Sequence, residues 1–236
     1  MDPKSNIMKT AYYLILIGLI GSFTACEKDN FNEPESFLTG SIVYNGVPLQ
    51  MGVNEVDFEL WQPGFGKLGP LGVSVQQDGS FSSRLIDGDY KLVFGGGQGP
   101  FRTKVVDAQQ LDTLFVAVRG NTQVEVEVTP YFIFNTAEVG MNGNTVEASC
   151  QLQSIIQEAV VERVTLYVNT TQFVSNSNDY NIAQANSGDV SNLGNITVSV
   201  ALPEISPAQN YVFARIGVKI EGVEDMLFSP TERLTF

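Results

Sequence analysis

Between Val53 and Leu60 the apolar residues Val56, Phe58 and Leu60 alternate with the acids Glu55, Asp57 and Glu59. A helix would scatter the two sets around its circumference, whereas an extended strand sorts them onto one buried and one wet face. The same grammar recurs along the chain. Leu38, Gly40, Ile42 and Tyr44 lead into an Asn45-Gly46 turn, Tyr90, Leu92 and Phe94 follow Asp87-Gly88, and Val124, Val126 and Val128 alternate with Gln123, Glu125 and Glu127. Short strands around Val73 to Gln76 and Phe81 flank a further turn at Asp78-Gly79, and Leu111 to Val118 supplies another. Strands this short, punctuated this regularly by turn residues, predict an all-β chain built of sandwiches.

The ladder breaks at Thr129-Pro130-Tyr131, because proline has no amide hydrogen to give a sheet. Beyond it the pattern resumes in Thr145 to Leu152, Val160 to Val168, Ile196 to Leu202 and Tyr211 to Ile220, with a long polar connector over 175–192. Two tandem β-sandwich domains are therefore expected, over 37–128 and 129–236. With 43% hydrophobic and 17% charged residues, the chain has the means to build both cores.

Ahead of them, Lys4 and Lys9 precede an apolar run from Ala11 to Ile20, then the small and polar Gly21, Ser22, Thr24 and Ala25, and then Cys26. The run is too short to span a bilayer, and no basic cluster follows to hold it there. Residues 1–25 read as a signal peptide cut before a lipid-attachment cysteine, and residues 26–36 as a lipidated, flexible tether. Acyl chains on Cys26 would anchor the protein to a membrane, each buried methylene being worth about 0.8 kcal/mol.

Absences bound the chemistry. The chain has no histidine, which removes the usual serine and cysteine triads, histidine zinc sites and imidazole acid–base catalysis. A net charge of −13 argues against nucleic acid as a partner. Cys150 shares the apolar phase of Val146, Ala148 and Leu152 and is expected in a core, not as a nucleophile. The glycine-rich stretch from Gly95 to Phe101 lacks the lysine and hydroxyl of a phosphate loop. Asp78, Asp87 and Asp89 are accounted for by turns without calcium, and no paired carboxylates stand in a setting diagnostic of glycoside hydrolysis. Neither a cofactor, a metal nor a catalytic residue is expected.

The best ligand contacts are aromatic. By alternation Trp61, the single tryptophan, falls on the face of the acids and opens the loop containing Phe65. Phe101 leaves the glycine-rich loop nearby. Exposed rings suit sugar recognition, because the C–H faces of pyranoses stack on them, so Trp61, Phe65 and Phe101 are the candidate binding residues.

Asp78-Gly79-Ser80-Phe81 followed by Gly88-Asp89-Tyr90-Lys91-Leu92 resembles the core of carboxypeptidase-regulatory-like and transthyretin-like sandwiches. Ile205-Ser206-Pro207-Ala208-Gln209-Asn210-Tyr211 resembles the fibronectin type III stretch that ends in a corner tyrosine, although Val212, Ala214 and Ile216 run out of phase with Tyr211. Glu27-Lys28-Asp29 after Cys26 looks like the charged signal that sends Bacteroidetes lipoproteins to the outer face of the outer membrane. Taken together, the chain resembles a two-domain Bacteroidetes lipoprotein family, made of domains of unknown function and encoded beside SusC/SusD-type glycan uptake pairs. The resemblance implies a non-enzymatic, outer-membrane surface protein that binds polysaccharide or oligosaccharide, or supports a SusC/SusD-type transport complex. Two alternatives stand beside it: a structural or adhesive spacer without glycan binding, and a carboxylate-dependent glycoside hydrolase.

Replacing Cys26 by serine removes the site of acylation and should release the protein from membranes. Fractionation measures this directly, and a serine variant that stays in the outer membrane as fully as the parent would rule out the lipid anchor.

Overall fold

A computed structural model of the protein describes residues 33–64, 69–103 and 113–236; the leader, Cys26, Phe65 and the start of the tether lie outside the described residues. The first half comprises β1 (Ser36–Tyr44), β2 (Val47–Pro48), β3 (Gln50–Met51), β4 (Asp57–Trp61), β5 (Pro70–Ser74), β6 (Ser80–Leu85), β7 (Gly88–Phe94), β8 (Phe101–Thr103), β9 (Thr113–Val118) and β10 (Asn121–Pro130). The second comprises β11 (Phe132–Asn142), β12 (Thr145–Ser154), β13 (Val161–Asn169), β14 (Ala183–Asn186), β15 (Ile196–Ala201), β16 (Tyr211–Ile220), β17 (Leu227–Phe228) and β18 (Glu232–Thr235), with a single 3-10 turn at Asn178–Tyr180. The chain is all-β, as its alternation requires.

In the first half, one sheet runs β2-β1-β10-β8 with β6 also on β1, and the other runs β5-β4-β7-β9. β1 and β10 pair in parallel, which places almost the whole half in the crossover between them. They approach closely at Gly40, where a Cβ would lie 2.0 Å from the carbonyl oxygen of Val124 and 2.6 Å from the Phe81 ring. The sheets bury Leu38, Ile42, Phe58, Leu60, Phe81, Tyr90 and Leu92 in one cluster. Phe58 meets Phe81 edge-on at 4.9 Å and Phe94 at 5.7 Å. Each large apolar side chain buried here contributes about 1.5–3 kcal/mol, and edge-on ring pairs add to that. The Asp78-Gly79 turn closes as its composition demands, with Gly79 at φ 82° and the Asp78 carboxylate accepting from the Ser80 amide at 3.0 Å.

In the second half, a β11-β12-β15 sheet faces a larger one ordered β14-β13-β16-β17-β3, with β18 also on β16. Cys150 is buried among Val146, Leu152 and Ile196, and burial pushes its thiol up to about 11, far from nucleophilic use. On β16, Val212, Ala214, Ile216 and Val218 face this core. Tyr211 takes the opposite face, where Arg233 lies 4.2 Å over its ring, so the phase break read from the sequence is a plain alternation of faces.

β10 ends at Pro130 and β11 begins at Phe132, and the two halves keep separate apolar clusters. They are nevertheless joined. β3, from the first half, extends the larger sheet of the second by pairing Met51 with Leu227 and Gln50 with Phe228. The Gly99 amide donates to Asp225 at 2.7 Å and the Gln77 side chain to the Gln172 carbonyl at 2.8 Å. Beneath this seam Arg215 is fully buried, its guanidinium 3.9 Å over the Phe228 ring and its Nε donating to the Val174 carbonyl at 2.6 Å.

Alternation put Glu55 on the wet face of a strand, but β4 begins only at Asp57, and Asn54, at φ 57°, turns the chain before it. Glu55 is thereby directed inward, against the space left by Gly52, where a Cβ would lie 1.9 Å from the carboxyl carbon. Desolvation, then the nearby Asp225, push its carboxyl up to about 7.

The native state therefore holds the Glu55 proton more tightly than the unfolded chain. Stability from this group should be complete below about pH 4.5 and lost as pH rises through 7, by ~2 kcal/mol once partial solvent access is allowed for. Thermal melts of the protein and of Glu55→Gln across that range measure it: the glutamine variant should show a flatter profile, and identical profiles would contradict the account.

Candidate functional site

Because Phe58 and Leu60 enter the first core, the register of β4 sends Asp57, Glu59 and Trp61 to the other side of the sheet. Trp61 is only part-buried there, and its indole Nε1 donates to the Glu59 carboxylate at 2.8 Å. That bond fixes the ring against its own strand, so ordering it costs a ligand little further entropy.

Cross-strand register continues the row. Trp61 pairs with Pro70 on β5 and with Lys91 on β7, and Lys91 pairs in turn with Phe115 on β9. Phe115 is 66% exposed, more than any other large hydrophobic residue among those described, and the Lys91 ammonium lies 5.6 Å over its ring. With strands spaced about 4.8 Å apart, the two aromatics stand roughly 10 Å from each other, the reach of a short oligosaccharide. Beside the row lies a shallow groove of about 690 Å³, lined by Gln62, Pro63, Asp89, Lys91, Phe115 and Ala117 among others. Asp89 is engaged by Arg119 at 2.8 Å, and Arg119 also donates to the Gly88 carbonyl at 2.7 Å. The groove brings together the Phe115 ring, the Gln62 amide, the Asp89 carboxylate and the Lys91 ammonium, and Trp61 with Glu59 stands beside it on the same side of the sheet.

Of the residues singled out from sequence, Trp61 stands on this face. Phe101 does not. It is 4% exposed and packs edge-on against Phe94 at 5.5 Å, because Gly99, at φ 80°, folds the glycine-rich loop back over its ring. Phe65 and Cys26 lie outside the described residues. Phe115 was the residue that sequence reasoning passed over, although parity signalled it: Val116 and Val118 are buried, so Phe115 must face out with Ala117. The three aspartates are engaged locally. Asp78 holds the Ser80 amide, Asp89 holds Arg119, and Asp87 accepts from the Ser36 hydroxyl and the Gly120 amide, which keep its carboxyl below its usual range. Among the described residues no group of three acids or thiols is placed to hold a metal ion.

Comparison with known proteins follows the two halves. The N-terminal domain described as "Protein of unknown function (DUF3823)" matches residues 36–129, and the companion C-terminal domain of unknown function, DUF3823_C, matches residues 132–233. A DUF3823 family protein from Parabacteroides merdae is 32% identical, with a TM-score of 0.75 over 86% of this chain and 100% of its own. Another, from Bacteroides ovatus, is 30% identical, with a TM-score of 0.73 over 86% of this chain and 99% of its own. A Bacteroides uniformis structure named as a candidate carbohydrate binding protein shares the fold at 17% identity, with a TM-score of 0.68 over 86% of this chain and 100% of its own. No curated protein matches the chain. With both domain matches falling in order along it, and relatives covered over nearly their whole length, the chain belongs to the DUF3823 family.

Proposed function

We propose that the protein is a non-enzymatic, lipid-anchored surface protein that captures glycan on the outer face of the β5-β4-β7-β9 sheet. The observation that carries this reading is the row of Trp61, Lys91 and Phe115, in which two accessible rings stand on one side of a rigid sheet. Rings at the surface lose solvation when a sugar stacks on them, and the adjacent amide and carboxylates fix the sugar's orientation. A carbohydrate-binding name on a protein of the same fold supports the same direction. The lipid on Cys26 would hold this face at the outer membrane, in an accessory role beside a SusC/SusD-type transport complex.

Trp61→Ala and Phe115→Ala should each weaken binding to a responsive polysaccharide by about 1–3 kcal/mol, the scale of one large apolar contact, without lowering the melting temperature much. Isothermal calorimetry against a polysaccharide panel, beside thermal melts, measures both. If the variants bind as the parent does, the face is not the site, and the spacer reading replaces this one.

A further inference from the structure

We infer that the glycan taken up by this face carries carboxylates, as uronic acid units do, and that Lys91 is their counter-ion; the inference rests on the glycan reading above. Its basis is the state of the charged groups around the row. The Glu59 carboxylate accepts the Trp61 indole N–H at 2.8 Å, and Asp89 is paired with Arg119 at 2.8 Å. Lys91 differs from both. Its ammonium stands at the centre of the row, over the Phe115 ring, and among the described residues no carboxylate lies within ion-pair distance of it.

Of the described lysines and arginines without an ion pair, Lys91 is the one that stands in this row. A neutral sugar would fill the places over the rings but leave the ammonium without an anion. A uronate stacked between Trp61 and Phe115 directs its carboxylate away from the pyranose ring and into the row, within reach of Lys91. Of the nearby carboxylates, Asp89 is paired with Arg119 and Glu59 accepts the Trp61 indole N–H, while charges beyond about 8 Å are largely screened at physiological salt.

Polygalacturonate against its methyl ester, and carboxymethyl cellulose against hydroxyethyl cellulose, are the probes, each pair sharing a backbone and differing in charge. The purified protein should bind the acidic member of at least one pair about tenfold more tightly, the scale of one charge-assisted hydrogen bond. Lys91→Gln should bring that ratio close to one, and near-molar sodium chloride should do the same to the unaltered protein. Equal binding of the two members, or a ratio that survives both Lys91→Gln and salt, overturns the inference; if Trp61→Ala still abolishes that binding, the glycan reading stands without it. Failure of all four polymers to bind overturns the inference while leaving neutral glycans of other backbones to the wider panel.

Discussion

The burial of Phe58 and Leu60 is the constraint on which the candidate site depends. These two side chains lock β4 to the facing sheet through Phe81 and its neighbours, and with a strand's period of two that choice leaves Trp61 no way inward. Tyr90 and Leu92 do the same for β7 and release Lys91, while Val116 and Val118 do it for β9 and release Phe115. Three independent strands, each fixed by its own core residues, thus deliver one row across the sheet. The rigidity of the face is a by-product of the packing beneath it, and a platform whose rings are already in place binds without a large ordering cost.

The second half contributes through the seam. By accepting β3 into its larger sheet and holding the Gly99 loop through Asp225, it ties the first sandwich at two places well separated in sequence. The buried Arg215 and inward-turned Glu55 make this seam polar, and two guanidinium nitrogens and one carboxylate oxygen within it have no hydrogen-bond partner among the described residues. Buried polar atoms without partners cost stability, so the seam is held by the packing and hydrogen bonds around them.

Most of this was legible in the sequence where one side of a strand is buried. The alternations at Val56–Leu60 and Val124–Val128, the Asp78-Gly79 turn, the buried Cys150 and the outward Trp61 all follow from period two alone. Three features were not. Phe101 was misplaced because it lies beside a glycine-rich loop whose path depends on the positive φ of Gly99 and on Asp225, a residue 126 positions away. Glu55 departs from the alternation because Asn54, at φ 57°, turns the chain before β4 begins at Asp57. Phe115 carries no turn or loop signal, and only the parity of its short strand, with Val116 and Val118 buried, turns it outward.

Trp61 offers the most direct test, since it is the chain's one tryptophan and its fluorescence reports on the proposed face alone. Titrating the protein with a bound oligosaccharide should shift the emission to shorter wavelength and shield it from quenching by acrylamide, as a sugar covers the indole. Binding that saturates while the emission and its quenching stay unchanged would place the ligand elsewhere and contradict the account.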